Sequence, residues 1–423
     1  MLTLATIAAA ALAQPVDPFN WSTLVGPETP PQSVWRGFKK YDFPAKGWTH
    51  TSGELTSDAG GGGGDIMTRE QYGDFELLFE FRCAPKANSG VIYRSTEKHG
   101  ASWQTGPEFQ VLDDAGNNLK PDHPHSAGAM YDILKPPADK VYKTGEAWNA
   151  GRIYMRNGLL QHWLNGRKVA EVEAFDAAGK PTEAWTKAIA GSKFKGYEGF
   201  GVQPKGSIVL QDHGDSVSYR SVRVRALDQA VPGEVKLFNG KDLTGWTPIV
   251  PELAAKNEDQ SRPWSVRDGV LVCAGNPVGY LRTNDKYTNF VLRLQWRFDP
   301  AKGAGNSGVL LRTNGEDKVW PRSIEAQLHS GNAGDFWNIG EMKMGVAADR
   351  TKGRNTRKTH GAERALGLWN EYEIVVDKGN VSLKVNGEEL NSATGCEETP
   401  GYICLQSEGA YIEYRDIRIV PLP

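Results

Sequence analysis

Cysteine is scarce. Four in 423 residues are too few, and too unevenly spread, for a disulfide framework or a Cys-rich zinc site. Cys83 stands alone in the first half, while Cys273, Cys396 and Cys404 lie in the second. One bridge, Cys396–Cys404, would join a loop to the next strand in an oxidising compartment. An excess of either charge is also missing: 49 Lys and Arg face 51 Asp and Glu, which removes the electrostatic footprint of a nucleic-acid binder. No apolar run of about 18 residues follows the N-terminus, so no membrane-spanning helix is expected. Helical periodicity is sparse. What the chain does have is 48 Gly for turns and 13 Trp, 14 Tyr and 14 Phe for a core, a balance that excludes disorder and points to a β-rich globular protein.

Leu2 to Leu12 form a short apolar segment closing on Ala11-Leu12-Ala13, the small-residue pattern that a signal peptidase accepts. Pro15 and Pro18 would end any helix that tried to continue. Residues 1–13 therefore read as a secretory signal, and the expected location is periplasmic or extracellular.

The rest of the chain repeats itself. Trp48-Thr-His-Thr-Ser-Gly53 answers Trp264-Ser-Val-Arg-Asp-Gly269, and Asn88-Ser-Gly-Val-Ile-Tyr-Arg94 answers Asn306-Ser-Gly-Val-Leu-Leu-Arg312. Glu108-Phe-Gln110 matches Glu325-Ala-Gln327. Trp148-Asn149 precedes Asn165-Gly166 as Trp369-Asn370 precedes Asn386-Gly387. Leu210-Gln211 leads to Tyr219-Arg220 as Leu405-Gln406 leads to Tyr414-Arg415. Such collinearity implies tandem homologous domains, 14–230 and 231–423, divided near Ala230-Val-Pro-Gly233. The first copy carries an additional stretch with Trp185 and Ser192-Lys193-Phe194.

Within each copy the signal is strand. Phe75 to Arg82 and Phe290 to Arg297 alternate or run apolar over strand length. Asn157-Gly158 and Gly379-Asn380 are placed as hairpin turns. Many short strands argue for packed antiparallel sheets: an all-β protein of two tandem β-sandwich jelly rolls.

Candidate polar groups fall on particular strands. Alternation puts Glu108 and Gln110 on one face, with Asp113 reaching it only through a bulge or at the strand end. Glu325, Gln327 and His329 alternate likewise, and Arg94 and Arg312 lie upstream of the two sets. Gln211-Asp212-His213 is a second cluster, because an Asp beside a His can orient it as a base near neutral pH. Its counterpart is Gln406-Ser-Glu408. His123 and His125 belong to a Pro-rich loop, and His162 beside Trp163 reads as structural.

These motifs, with Phe238-Asn-Gly-Lys-Asp-Leu-Thr-Gly-Trp246 at the second domain's start and Leu210-Gln-Asp-His-Gly214 in the first, resemble the 3-keto-disaccharide hydrolase family, related to concanavalin A-like lectins and glucanases. The resemblance implies a concanavalin A-like sandwich and an oligosaccharide or glycoside already oxidised at C3. A C3 ketone acidifies the hydrogen on C2, so a modest base can remove it; the C1 substituent leaves and water adds, giving net hydrolysis. On that reading His213 or Glu108 is the base and Asp212 its orienter. Arg94 and Lys193 serve the enolate or the hydroxyls, and Gln110, Asp113, Tyr131 and Gln211 position the sugar. The second-domain equivalents are Arg312, Glu325, Gln327, His329, Gln406 and Glu408, in a domain that is either catalytic or accessory. A divalent cation could replace one donor, although no ligand spacing demands it. Two other readings stand beside this one. A two-carboxylate glucanase is weakened by the amide at the middle of Glu108-x-Gln110-x-x-Asp113. A non-catalytic lectin would use the aromatics as stacking surfaces.

Overall fold

The computed structural model describes residues 17–423; the signal expected over 1–13 lies outside them. Each half is a sandwich of two antiparallel sheets. In the first, the larger sheet runs in the order Arg167–Glu173, Leu159–Leu164, Asn149–Arg156, Phe75–Cys83, Val217–Ala226, Glu54–Ser57, Trp48–Thr51, with Ser22–Val25 also paired to Val217–Ala226. The smaller runs Trp35–Gly37, Ile66–Thr68, Ser207–Leu210, Asn88–Ser95, Glu108–Leu112. The second half repeats both sheets and adds the short strands Phe336–Ile339, Asn355–Thr356 and Thr351–Lys352 beyond Arg322–Gln327. No helix among the described residues is long and apolar enough to cross a membrane.

The strands form where alternation demands. Phe75, Leu77, Phe79 and Phe81 enter the core from one strand, and Phe109 and Val111 meet them from the facing sheet. Phe79 and Phe109 pack edge-to-face with centroids 5.1 Å apart, a favourable aromatic geometry. Asn157 and Gly158 both take positive φ at their hairpin, as an Asn-Gly turn should. In the second copy the two-residue turn is Lys378-Gly379, because Asn380 already pairs with Asp377. The expected Gly379-Asn380 turn is thus one residue late.

Much of the repeated pattern is explained by the fold alone. The Asn of each Trp-Asn accepts from the Asn of its Asn-Gly turn: Asn165 to Asn149 and Asn386 to Asn370, both at 2.8 Å. Ser89 and Ser307 bond the buried hydroxyls of Tyr219 and Tyr414 at 2.7 and 2.6 Å. Arg94 and Arg312 have positive φ at strand irregularities and tie down loops. Arg94 donates to the Gly73 and Gln203 carbonyls and pairs with Asp74; Arg312 donates to the Thr288, Glu397 and Lys378 carbonyls.

All four cysteines are free and buried. Cys396 joins the inner core of the second sandwich, whereas Cys404 packs with Tyr280 and Leu310 on the other face of its sheet. The Cys396–Cys404 bridge suggested by sequence is therefore absent, because the two thiols lie on opposite sides of one sheet.

The first domain's larger sheet and the second domain's sheet that contains Phe290–Arg297 face each other through their charged surfaces. Arg225 of the first domain bonds Glu76 of its own sheet and Glu373 of the second, both at 2.7 Å. Arg293 reaches the same Glu373 at 3.0 Å, and Arg156 bonds Glu371 at 2.7 Å. These outward residues of amphipathic strands are buried only because the other domain covers them. Four sheets consequently stack in layers, and the two outermost, which carry Glu108–Leu112 and Arg322–Gln327, look away from each other.

Candidate functional site

The outer face of the first domain's smaller sheet collects the polar groups. Phe109 and Val111 point into the core, so Glu108 and Gln110 take the outer face. Gly90 lies opposite Gln110 on the neighbouring strand, and Gln211 follows the next strand, its N–H bonded to the Gly90 carbonyl at 3.0 Å. A Cβ at Gly90 would stand 2.3 Å from Glu108 Oε1 and 2.6 Å from Gln211 Oε1. The absent side chain is what lets carboxyl and amide approach each other.

Glu108 is 5% exposed. Burial pushes its carboxyl up to about 8, with Lys193 pulling it down and Asp65 pushing it up by lesser amounts. At neutral pH it is therefore largely protonated, a donor rather than a buried charge. Gln110 donates to Asn88 Oδ1 at 2.8 Å, leaving its own Oε1 buried without a partner.

His213 is exposed at the rim, with Nε2 3.2 Å from Gln211 Oε1. An amide oxygen only accepts, so Nε2 is the donor in this contact and Nδ1 is the ring nitrogen left for other partners. Asp65, just before Ile66–Thr68, accepts from Ser102 Oγ and from the Asp212 N–H at 3.0 Å. Its carboxyl is raised by burial and drawn back by those bonds and by His213. Lys193 holds its ammonium 4.1 Å from the Tyr131 ring centroid and 5.1 Å from that of Trp103, a cation–π seat. Tyr131 stacks on His125 at 4.4 Å. Asp132 bonds both His125 and the Lys193 N–H, at 2.9 and 2.7 Å, so the Pro-rich loop fixes the added segment.

Glu108, Gln110, Gln211, His213, Tyr131 and Lys193 thus meet on one face. Three other sequence candidates do not join them. Asp212 caps loop N–H groups of Gly64 and Gly214 at 2.8 and 2.9 Å, so His213 is oriented by Gln211 instead. Asp113 turns back to accept the Lys86 N–H at 2.8 Å. Arg94 is spent on Asp74 and the loop carbonyls. His162 is buried against Tyr93 at 2.9 Å, and burial lowers it to about 4; it belongs to the core. Trp103 and Asp132 carry no signal in the sequence, Asp65 carries only that of its block, Gly64-Asp-Ile-Met-Thr against Gly279-Tyr-Leu-Arg-Thr, and His125 of the Pro-rich loop reaches the site through Tyr131 and Asp132.

In the second domain Glu325 and Gln406 close over Gly308, where a Cβ would stand 2.5 and 2.1 Å from their Oε1 atoms. Glu408 occupies the His213 position. The strand stops at Gln327, so His329 is exposed in a loop, bonded to Asn332 at 3.1 Å, and the expected three-residue alternation fails. Gln327 spends its Oε1 on the Leu328 and His329 N–H groups. Arg312 is buried among loop carbonyls, away from this face. Among the described residues no group of three or more His, Cys, Asp or Glu is placed to hold a metal ion.

A sequence profile of the 3-keto-alpha-glucoside-1,2-lyase-like domain matches residues 21–225 and again 233–420; the chain belongs to that family, in two copies. A 3-keto-disaccharide hydrolase of Bacteroides thetaiotaomicron is 29% identical over 248 residues, 52% of this chain and 82% of that protein. Two crystal structures from Parabacteroides distasonis, provisionally named glycosyl hydrolases, are also similar. One is 26% identical, covers 46% of this chain and 89% of that one, and has a TM-score of 0.40. The other is 27% identical, with coverages of 49% and 100% and a TM-score of 0.36.

Proposed function

We propose that this chain is a carbohydrate-acting hydrolase of the family just named, and that its first domain cleaves 3-keto-glycosides by elimination followed by hydration. The observation that carries the reading is the meeting of a buried carboxyl (Glu108), an imidazole (His213) and a lysine (Lys193) on one outer sheet face. His213 Nδ1 takes the C2 proton, and the C2–H electrons move into a C2–C3 enolate. Lys193 and the Tyr131 hydroxyl stabilise that enolate oxygen. The enolate then re-forms the C3 carbonyl, a C1–C2 double bond forms, and the C1–O bond breaks as Glu108 protonates the leaving oxygen. Water adds across C1–C2, restoring the hydrogen at C2 and placing hydroxyl on C1. Gln110, Asn88 and Gln211 offer amides to ring hydroxyls.

Turnover of a 3-keto-glucoside in heavy water tests this directly. Deuterium is expected at C2 of the released sugar. Release without exchange would exclude the proton abstraction, and no release at all would remove the catalytic reading.

The floor of the site gives a second test. Gly90→Ala is expected to fold, since the added methyl meets only the ends of the Glu108 and Gln211 side chains and no backbone, yet to lower kcat about 10²-fold by displacing their oxygens. Circular dichroism checks the fold and single-turnover kinetics the loss. Unchanged turnover would mean that Glu108 and Gln211 do not act over Gly90.

The lectin reading has one observation in its favour, the aromatic seat of Trp103, Tyr131 and Phe194 around Lys193; sugar binding without turnover would support it. Export belongs to the same proposal, and N-terminal sequencing of secreted protein tests it: a mature chain starting at Gln14 is expected.

A further inference from the structure

The second domain holds a cleft of about 320 Å³ on the outer face of its sheet, made in part by residues with no counterpart in the first domain. We infer that this cleft is a separate saccharide-binding site, in which Glu325 and Glu408, backed by Gln406, engage ring hydroxyls while Trp320 and Trp337 bracket the ring. The inference rests on the carbohydrate reading of the chain, not on its catalytic part.

Unsatisfied groups are the first argument. Both amide atoms of Gln406, which is 1% exposed, are buried without partners. Asn306 Oδ1 and Glu408 Oε2 are in the same condition. Buried polar atoms are ordinarily bonded, and each one left alone costs about 1–3 kcal/mol. Asn306 and Glu408 line the hollow with Glu325, and Gln406 stands behind it, meeting Glu325 over Gly308; a ligand rich in both donors and acceptors would satisfy the lining atoms. Hydroxyls meet that description, since each donates one hydrogen and accepts at two lone pairs.

The walls are the second argument. Trp320 is 42% exposed, unusual for an indole unless its face has a use. It lines the cleft with Trp337, which the added strand Phe336–Ile339 carries next to Glu325. Arg354, over the Trp337 ring at 6.0 Å, closes the rim. Flat aromatic faces beside a polar floor suit a pyranose, whose axial C–H groups are apolar and whose rim is hydroxylated.

Charge is the third. Burial raises Glu325 to about 8, with Glu408 adding to the rise and Arg354 opposing it, and burial raises Glu408 to about 7. Carboxyls held partly protonated can donate as well as accept, and they do not demand a cationic ligand. The ligand class is thus a neutral hexose or a short glucan end. Because the sheets that carry Glu325 and Glu108 are the outermost layers, this site and the Glu108 site lie on opposite sides of the molecule and can be occupied independently.

Full-length protein titrated with methyl α-glucoside, maltose and a 3-keto-glucoside, followed by tryptophan fluorescence and calorimetry, tests the inference. Trp320→Ala, an exposed position that leaves the core intact, is expected to weaken binding of at least one probe about ten-fold. Gln406→Leu is expected to do the same, and neither should alter turnover of the 3-keto-glucoside. The double variant Glu108→Gln/His213→Ala is expected to lose turnover while its Trp320-dependent binding stays within about three-fold of wild type. Saturation absent for every probe up to about 10 mM would overturn the inference. So would wild-type binding by both Trp320→Ala and Gln406→Leu, or loss of all binding in the double variant. Failure of the catalytic reading alone would appear as absent turnover with Trp320-dependent binding retained.

Discussion

Glu108→Gln is expected to lower kcat on a 3-keto-glucoside by about 10²–10⁴-fold, the range supplied by a positioned general acid, with little change in KM. The substitution keeps size and hydrogen-bonding shape, so the site stays assembled while the transferable proton is lost. The pH profile carries a sharper signature. Burial holds the Glu108 carboxyl near 8, so the proposed acid is loaded below that pH and spent above it. Wild-type activity should decline through about pH 8 and above, and this alkaline limb should be missing from the residual activity of the variant. Stability moves the other way. The folded carboxyl keeps its proton up to about 8, whereas the unfolded one releases it near 4.3. Its contribution to stability is complete below about pH 4.3 and is lost as pH rises through 8. Glu108→Gln should therefore melt higher than wild type at pH 9 and with it at pH 4. Lost activity combined with gained alkaline stability marks a group retained for chemistry. A kcat within about three-fold of wild type would strip Glu108 of the acid role.

The repeat and the sandwich were legible because strand alternation and turn chemistry are local. Phe109 and Val111 inward with Glu108 and Gln110 outward follows from period two alone. Alternation failed where the chain breaks period. Arg94 and Arg312 sit at strand irregularities with positive φ, and a one-residue irregularity swings a side chain away from the face that counting assigns it. Asp113 and His329 lie just past strand ends, where the chain has turned. Asp212 misled for another reason: adjacency to His213 in sequence suggested a pair, yet neighbours on an extended segment point apart, and the residue two before, Gln211, shares the side of His213. Trp337 and Arg354 reach Glu325 only because Phe336–Ile339 pairs beside Arg322–Gln327 after an intervening loop. The two halves looked equally plain in sequence. Their recurrent serines, tyrosines and Asn-Gly pairs turn out to serve the scaffold, which leaves the Glu-x-Gln strands and the segments after Leu210 and Leu405 as the places where the copies differ in chemistry.

That scaffold makes a strong claim on the charged layer between the domains. Glu373 is 7% exposed at its side chain and contacts both Arg225 and Arg293. Burial alone would raise its carboxyl, but the Arg225 and Arg293 guanidiniums outweigh burial and hold it well below the usual range. Arg225 shows the mirror image: burial disfavours its charge, and Glu373 and Glu76 more than restore it. Glu373→Ala would leave Arg293 with no carboxylate partner other than through water and the Pro18 carbonyl at 3.1 Å, and Arg225 with Glu76 alone. Breaking a buried pair from one side costs about 3–5 kcal/mol, far more than the pair adds over a well-packed apolar substitute. Since the lost Arg225 contact joins the domains and the Arg293 contact lies in the layer between them rather than in either core, the expected result is two separated unfolding transitions in calorimetry where wild type shows one. Acid should act in the same direction. A carboxylate depressed by folding contributes stability above its unfolded value, near 4.3, and loses it as pH falls towards the folded one, so the domains should uncouple below about pH 4 while each sandwich, held by apolar burial, persists. Arg225→Met paired with Glu373→Leu removes both charges of the central pair but still strands Arg293, and should fall between wild type and Glu373→Ala. A single transition with an unchanged midpoint in Glu373→Ala would show that the ion layer orients the domains without holding them.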